Sequence, residues 1–136
     1  MLAKWCVLVA LPSAVLSCSD GPTHPAGCSG DLRVSVDTHT LGQTRPVFSW
    51  SPRCGTTFVT VVTAQFGVGD PAVMWSMSVP ENLSMAPPIV YGRTPPNATY
   101  STPPQPLSPG QRYRVQVGTT VGGDALAGTG EATFIP

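Results

Sequence analysis

Apolar and polar positions alternate with a period of two along most of the chain. The clearest case follows the turn signal Pro109-Gly110, where Tyr113, Val115 and Val117 alternate with Arg112, Arg114 and Gln116 and predict a half-buried β-strand. Leu32-Arg33-Val34-Ser35-Val36 alternates in the same way and predicts the first strand. In Pro46 to Ser51 the residues Pro46, Phe48 and Trp50 share one face, opposite Val47 and Ser49, and Pro52 ends the strand. Thr57 to Phe66 carries Phe58, Thr60, Val62, Ala64 and Phe66 on one face and Val59, Val61 and Thr63 on the other; apolar on both sides, it predicts a mid-sheet strand. Gly67 to Pro71 turns the chain into Val73, Trp75, Met77 and Val79, an inward face that completes a hairpin. Ile89-Val90-Tyr91 follows Pro87 and Pro88, which lack N–H groups and suit an edge, and Ala132 to Ile135 forms the last strand. About seven short antiparallel strands with no helical period predict an all-β fold, a two-sheet sandwich with a closed barrel as the alternative.

Composition narrows the function more than the shape. At 136 residues there is room for one domain, and with 10 % charged residues and zero formal net charge there is no field to draw in nucleic acid. Lys4 is the single lysine. The 16 prolines and 14 glycines fall between the alternating runs, where turns belong, and form no repeat.

At the N-terminus, Trp5 to Leu16 is an apolar run of signal-peptide length, too short to cross a bilayer as a helix. It closes in Val15-Leu16-Ser17-Cys18, which resembles the bacterial lipobox. The resemblance implies a lipoprotein signal peptide over residues 1–17, cleavage after Ser17, and a diacylglycerol on the sulfur of Cys18, so that the membrane is a partner through the lipid. Two or three acyl chains hold a protein stably where one does not. Ser19 after the cysteine resembles the sorting signal of lipoproteins sent to the outer membrane of a diderm envelope. Residues 18–30 are rich in proline and glycine without apolar periodicity, which predicts a tether of roughly 40 Å at full extension. The domain proper is then 31–136.

Two motifs resemble fibronectin type III domains. Leu107-x-Pro109-Gly110-x-x-Tyr113-x-Val115-x-Val117 is similar to the E to F corner and F strand of that immunoglobulin-like family, and Ser49-Trp50-x-Pro52 is similar to its B strand. The resemblance covers about Gly30 to Pro136 and implies the sandwich fold, with the Tyr113 hydroxyl bonded to backbone upstream in a tyrosine corner and Leu107 packed below it. The segment between Trp50 and Tyr113 is longer than is usual there, and no Arg-Gly-Asp triplet is present, so an adhesive activity does not transfer.

Cleavage removes Cys6 and lipidation occupies Cys18, leaving Cys28 and Cys54 in an exported domain, where one pair permits one connectivity. Adjacent antiparallel strands would bring the start of the first, after Cys28, beside the end of the second, before Cys54. A free or metal-binding pair is the alternative. No catalytic motif is present: there is no Gly-x-Ser-x-Gly elbow, phosphate loop or His-Glu-x-x-His. Asp31, Asp37, Asp70, Glu81, Asp124 and Glu131 stand outside any recognisable site, and His24 and His39 lack partners at metal spacing, so neither metal nor cofactor is expected. Gly122-Gly123-Asp124 and Gly128-Thr129-Gly130 read as turns around the final strand. Residues 95–104 are the longest stretch without strand pattern, and Tyr100, Pro103 and Pro104 within it are the candidate contacts for a partner. The expected function is a lipid-anchored envelope protein whose non-catalytic sandwich contacts an envelope protein or a polysaccharide. The alternative is a small envelope enzyme or ligand carrier with a site built from loops.

Overall fold

The computed structural model describes residues 26–64 and 69–136; the signal segment, Cys18, most of the tether with His24, and residues 65–68, which end the strand predicted to Phe66 and begin the predicted hairpin turn, lie outside these residues. The described residues form nine strands and no helix: β1 (Gly30–Asp31), β2 (Arg33–Asp37), β3 (Val47–Ser51), β4 (Phe58–Thr63), β5 (Val73–Ser78), β6 (Ile89–Val90), β7 (Thr99–Thr102), β8 (Tyr113–Val121) and β9 (Ala125–Phe134). They make a two-sheet β-sandwich. One sheet has the order β1-β9-β8-β4-β5-β7 and the other β2-β3-β6.

The alternation explains which face each strand buries. Phe48 and Trp50 on β3 point inward from the smaller sheet, and Val59, Val61, Trp75, Met77, Val115 and Val117 point inward from the larger. Aromatic rings join the layers: the Phe48 centroid lies 5.6 Å from Phe134 and 6.4 Å from Trp75, and Trp75 meets Tyr91 edge-on at 5.1 Å. As its two apolar faces require, β4 lies between β8 and β5. Its inward face is Val59 and Val61, while the Phe58 ring covers Gly118 on the outer face; a side chain at Gly118 would meet that ring at 2.6 Å.

Several expectations need correction. The strands number nine rather than about seven, and not all pairs are antiparallel, because β1 runs parallel to β9. The first strand is split: Leu32, whose N–H donates to Thr129 O at 2.9 Å, carries the chain from the edge of the larger sheet to β2, which pairs with β3. This crossing explains the second correction. Gly128-Thr129-Gly130 lies within the ten-residue β9 instead of in a turn, and its glycines are there because the crossing chain passes close over them. A Cβ on Gly128 would stand 2.8 Å from the Cys28 carbonyl carbon, and one on Gly130 only 2.4 Å from Leu32 O. By contrast Gly122 and Gly123, at φ 56° and 93°, do form the turn between β8 and β9.

The tether also ends earlier than its predicted limit at Gly30. Cys28 is 2 % exposed and belongs to the core; its N–H donates to Gly55 O at 2.9 Å, and Gly55 N–H donates to Ala26 O at 2.7 Å. Packed structure therefore includes Ala26 to Gly30. The small residues of this stretch conceal that its order comes from backbone pairing with distant segments.

Candidate functional site

The chain enters the sandwich at the end where Cys28 and Cys54 are joined by a disulfide. Antiparallel pairing of β2 with β3 sets Arg33 opposite Ser51, which brings the flanking cysteines together. Thr119 secures the same end from the far side: its buried hydroxyl donates to Gly55 O at 2.9 Å and accepts from Cys28 N–H at 3.2 Å. The indole N–H of Trp50 donates to Cys54 O at 2.9 Å, so the core ring also holds this junction.

At the corner before β8, Tyr113 is buried and its hydroxyl accepts a hydrogen bond from Ser108 N–H at 2.9 Å. Leu107 is buried beside it, and Phe134 stacks at 5.7 Å from the Tyr113 ring. These residues close the base of the sandwich and present no free polar group to a ligand.

The stretch 95–104 differs from its reading as a continuous loop. Thr99–Thr102 forms β7, which pairs with β5 at the edge of the larger sheet, with a register irregularity opposite Ser76 and Met77. Its sequence Thr-Tyr-Ser-Thr lacks apolar alternation because an edge strand has little core to face. Tyr100 is 41 % exposed, and its hydroxyl accepts a hydrogen bond from Thr94 Oγ1. Pro103 is exposed, and its carbonyl accepts from the Gln105 side-chain amide at 3.1 Å. Pro104 is half-buried and forms part of a hollow.

That hollow, of about 730 Å³, is bordered by Thr44, Arg45, Gly92, Arg93, Thr94 and Pro104. A second hollow of about 550 Å³ shares Arg93 and Thr94 with it and has an apolar lining that includes Met85, Ala86, Ile89 and Pro95. The sequence positions these walls. Gly92 at φ 76° turns the chain after β6, close to Pro104, and Tyr91 fixes the floor. The Tyr91 hydroxyl donates to Gln105 O at 2.7 Å, with Met74 O at 3.2 Å. Burial pushes its pKa up to about 12. Neither hollow is lined by an acidic residue. The side chains of Arg45 and Arg93 make no ion pair or hydrogen bond among the described residues, where Arg114 pairs with Glu131 at 3.8 Å.

Sequence reasoning placed the candidate contact on Tyr100, Pro103 and Pro104; the fold brings Pro104 to the hollow and ties Tyr100 to it through Thr94. Arg45 and Arg93 were missed, although each sits in a turn beside proline-rich sequence. The dispersed acids do not converge: among the described residues no three of His, Cys, Asp and Glu are grouped to hold a metal ion. His39 lies in a turn capped by Asp37, whose carboxylate accepts from the N–H groups of His39 and Thr40 at 2.8 and 3.1 Å; these bonds, and one from the Thr40 hydroxyl, hold its pKa low. No family model, curated protein or solved structure matches the chain.

Proposed function

We propose that the chain is a lipid-anchored protein of the bacterial cell envelope whose fibronectin type III-like sandwich is a non-catalytic binding module for an envelope protein or polysaccharide. The observation that carries the reading is the apolar run ending in Val15-Leu16-Ser17-Cys18 a short way ahead of a disulfide-bonded domain. A disulfide suits an oxidising compartment, which is where a lipobox-type signal would deliver the chain. The fibronectin type III-like part of the reading is supported by where its two motifs fall: the Trp50 motif lies on β3 of one sheet, and the Tyr113 motif leads into β8 of the other. Binding is supported by the hollows around Arg93, which combine unpaired guanidinium groups, hydroxyls and rigid proline walls. In a diderm cell the anchor would lie in the outer membrane, given Ser19.

The anchor is tested by metabolic labelling. Radiolabelled palmitate should enter the wild-type protein and not the Cys18→Ala variant, and the variant should accumulate at the length of the unprocessed chain. Equal labelling of both proteins would overturn the anchored reading.

A further inference from the structure

Building on the binding reading, we propose that the two hollows sharing Arg93 take an extended peptide segment of a protein partner, one that sets an apolar side chain beside a carboxylate. The charge argument comes first. The whole chain has no net charge, yet Arg45 and Arg93 border these hollows with no acid in either lining and no ion pair of their own among the described residues. A carboxylate placed there gains charge-assisted hydrogen bonds without displacing an existing partner. Exposed guanidinium groups also lose little hydration on meeting it.

The lining then selects a peptide over a glycan. Ala86, Pro88, Pro95 and Pro96 offer an apolar surface for a side chain, with buried Met85 and Ile89 beneath them. Sugars are held largely by stacking on exposed aromatic faces, and neither lining supplies one. Tyr91 is 6 % exposed with its hydroxyl engaged, and Tyr100, though exposed, lies in neither lining. Backbone geometry favours the peptide as well. β6 is the end strand of the order β2-β3-β6, and both of its residues line the apolar hollow, so an extended segment can lie along that edge. Prolines on the walls limit the entropy lost when it binds.

The test uses the purified full-length protein in detergent micelles with its disulfide intact. A displayed random peptide library is selected on it and counter-selected on the Arg45→Glu, Arg93→Glu double variant; the enriched peptide and trigalacturonate are then titrated while amide resonances are followed. Enriched peptides should carry Asp or Glu beside a large apolar residue and shift the amides of Arg93, Thr94 and Asn97. Their affinity should fall about tenfold or more in the double variant and be unchanged by Arg33→Glu on β2. Ala86→Trp, which fills the apolar hollow without altering charge, should also abolish binding. Peptides lacking carboxylates, equal loss in Arg33→Glu, or retained affinity in Ala86→Trp would overturn the proposal. Trigalacturonate binding at these amides with no peptide enriched would overturn the peptide class while keeping the binding reading. No binding of either probe would overturn both, leaving the palmitate experiment to decide the anchor.

Discussion

Gly130→Ala is expected to destabilise the domain by about 2 to 4 kcal/mol, the opposite of what the same change does at an ordinary strand position. Without steric conflict, alanine in a strand is favoured over glycine by roughly 0.5 to 1 kcal/mol because the unfolded chain loses less freedom. At Gly130 the new methyl would lie 2.4 Å from Leu32 O, 2.7 Å from Leu32 Cβ and 2.9 Å from Val34 Cγ2. Normal contact requires β2 to retreat by about an ångström, and the obstacle is backbone, which cannot rotate aside. Retreat would stretch the bond from Leu32 N–H to Thr129 O and loosen buried Leu32 in the core. Overpacking of this kind costs about 1 to 3 kcal/mol, and the lost hydrogen bond adds about 1. Gly27→Ala is the control: its nearest neighbour would be Thr119 Cγ2 at an ordinary 3.5 Å, so stability should stay within about 0.5 kcal/mol of wild type. Thermal denaturation of the two variants separates the effects, since each kcal/mol moves the midpoint by roughly 4 °C in a domain of this size. Equal midpoints for the two variants, or a Gly130→Ala protein as stable as wild type, would refute the close crossing of β2 over β9.

Replacing both Cys28 and Cys54 by alanine should cost roughly 3 to 4 kcal/mol, from a sequence separation of 26 and the chain-entropy argument, with far-ultraviolet circular dichroism unchanged because the backbone bonds among Ala26, Cys28 and Gly55 remain. A midpoint equal to that of the oxidised protein would refute it. Tyr113→Phe should lower stability by about 1 kcal/mol by leaving Ser108 N–H without its acceptor, and no change in the urea midpoint would show that water replaces the hydroxyl at no cost. Tyr91 holds its proton to about pH 12, so the folded state binds that proton more tightly than the unfolded chain, where tyrosine titrates near 10. Its contribution is complete below pH 10 and is lost as pH rises from 10 toward 12. Tyr91→Phe should remove that part of the alkaline loss, as read by denaturation midpoints across the range; an unaltered slope would count against the buried hydroxyl.

The strands that could be read from sequence are those whose two faces meet different surroundings. On β3, Phe48 and Trp50 face the core, and on β5, Trp75 and Met77 do so, and in each case the alternation is plain because solvent or an outer face lies opposite. β1 and β7 gave no such sign. Gly30–Asp31 is ordered by parallel pairing with Gly128 and Thr129, and β7 by pairing with β5, and neither strand places a large apolar side chain in the core. Backbone hydrogen bonds leave no trace in composition. For the same reason Gly128 and Gly130 read as turn residues, since a glycine required by close approach of another segment looks the same in sequence as one required by positive φ.

The candidate site was partly legible, and its residues show where the limit lies. A stretch holding Pro95, Pro96, Pro103 and Pro104 pointed to a rigid surface segment, and Pro104 does line a hollow. Tyr100, the most conspicuous residue in that stretch, lines neither hollow and touches the site through its bond to Thr94. What distinguishes Arg45 and Arg93 from Arg114 is the absence of an acidic neighbour, and neighbours across sheets are fixed by topology rather than by sequence distance. Arg114 acquires Glu131 only because β8 and β9 pair in a register that sets Gln116 opposite Glu131. No corresponding register brings an acid to Arg93, because the chain beyond β6 turns at Gly92 into a run of threonine, proline and asparagine. The cation is left open by the same turn that forms the hollow, so charge and shape at this site have one cause, and a partner that fits the shape without a carboxylate would use only half of it.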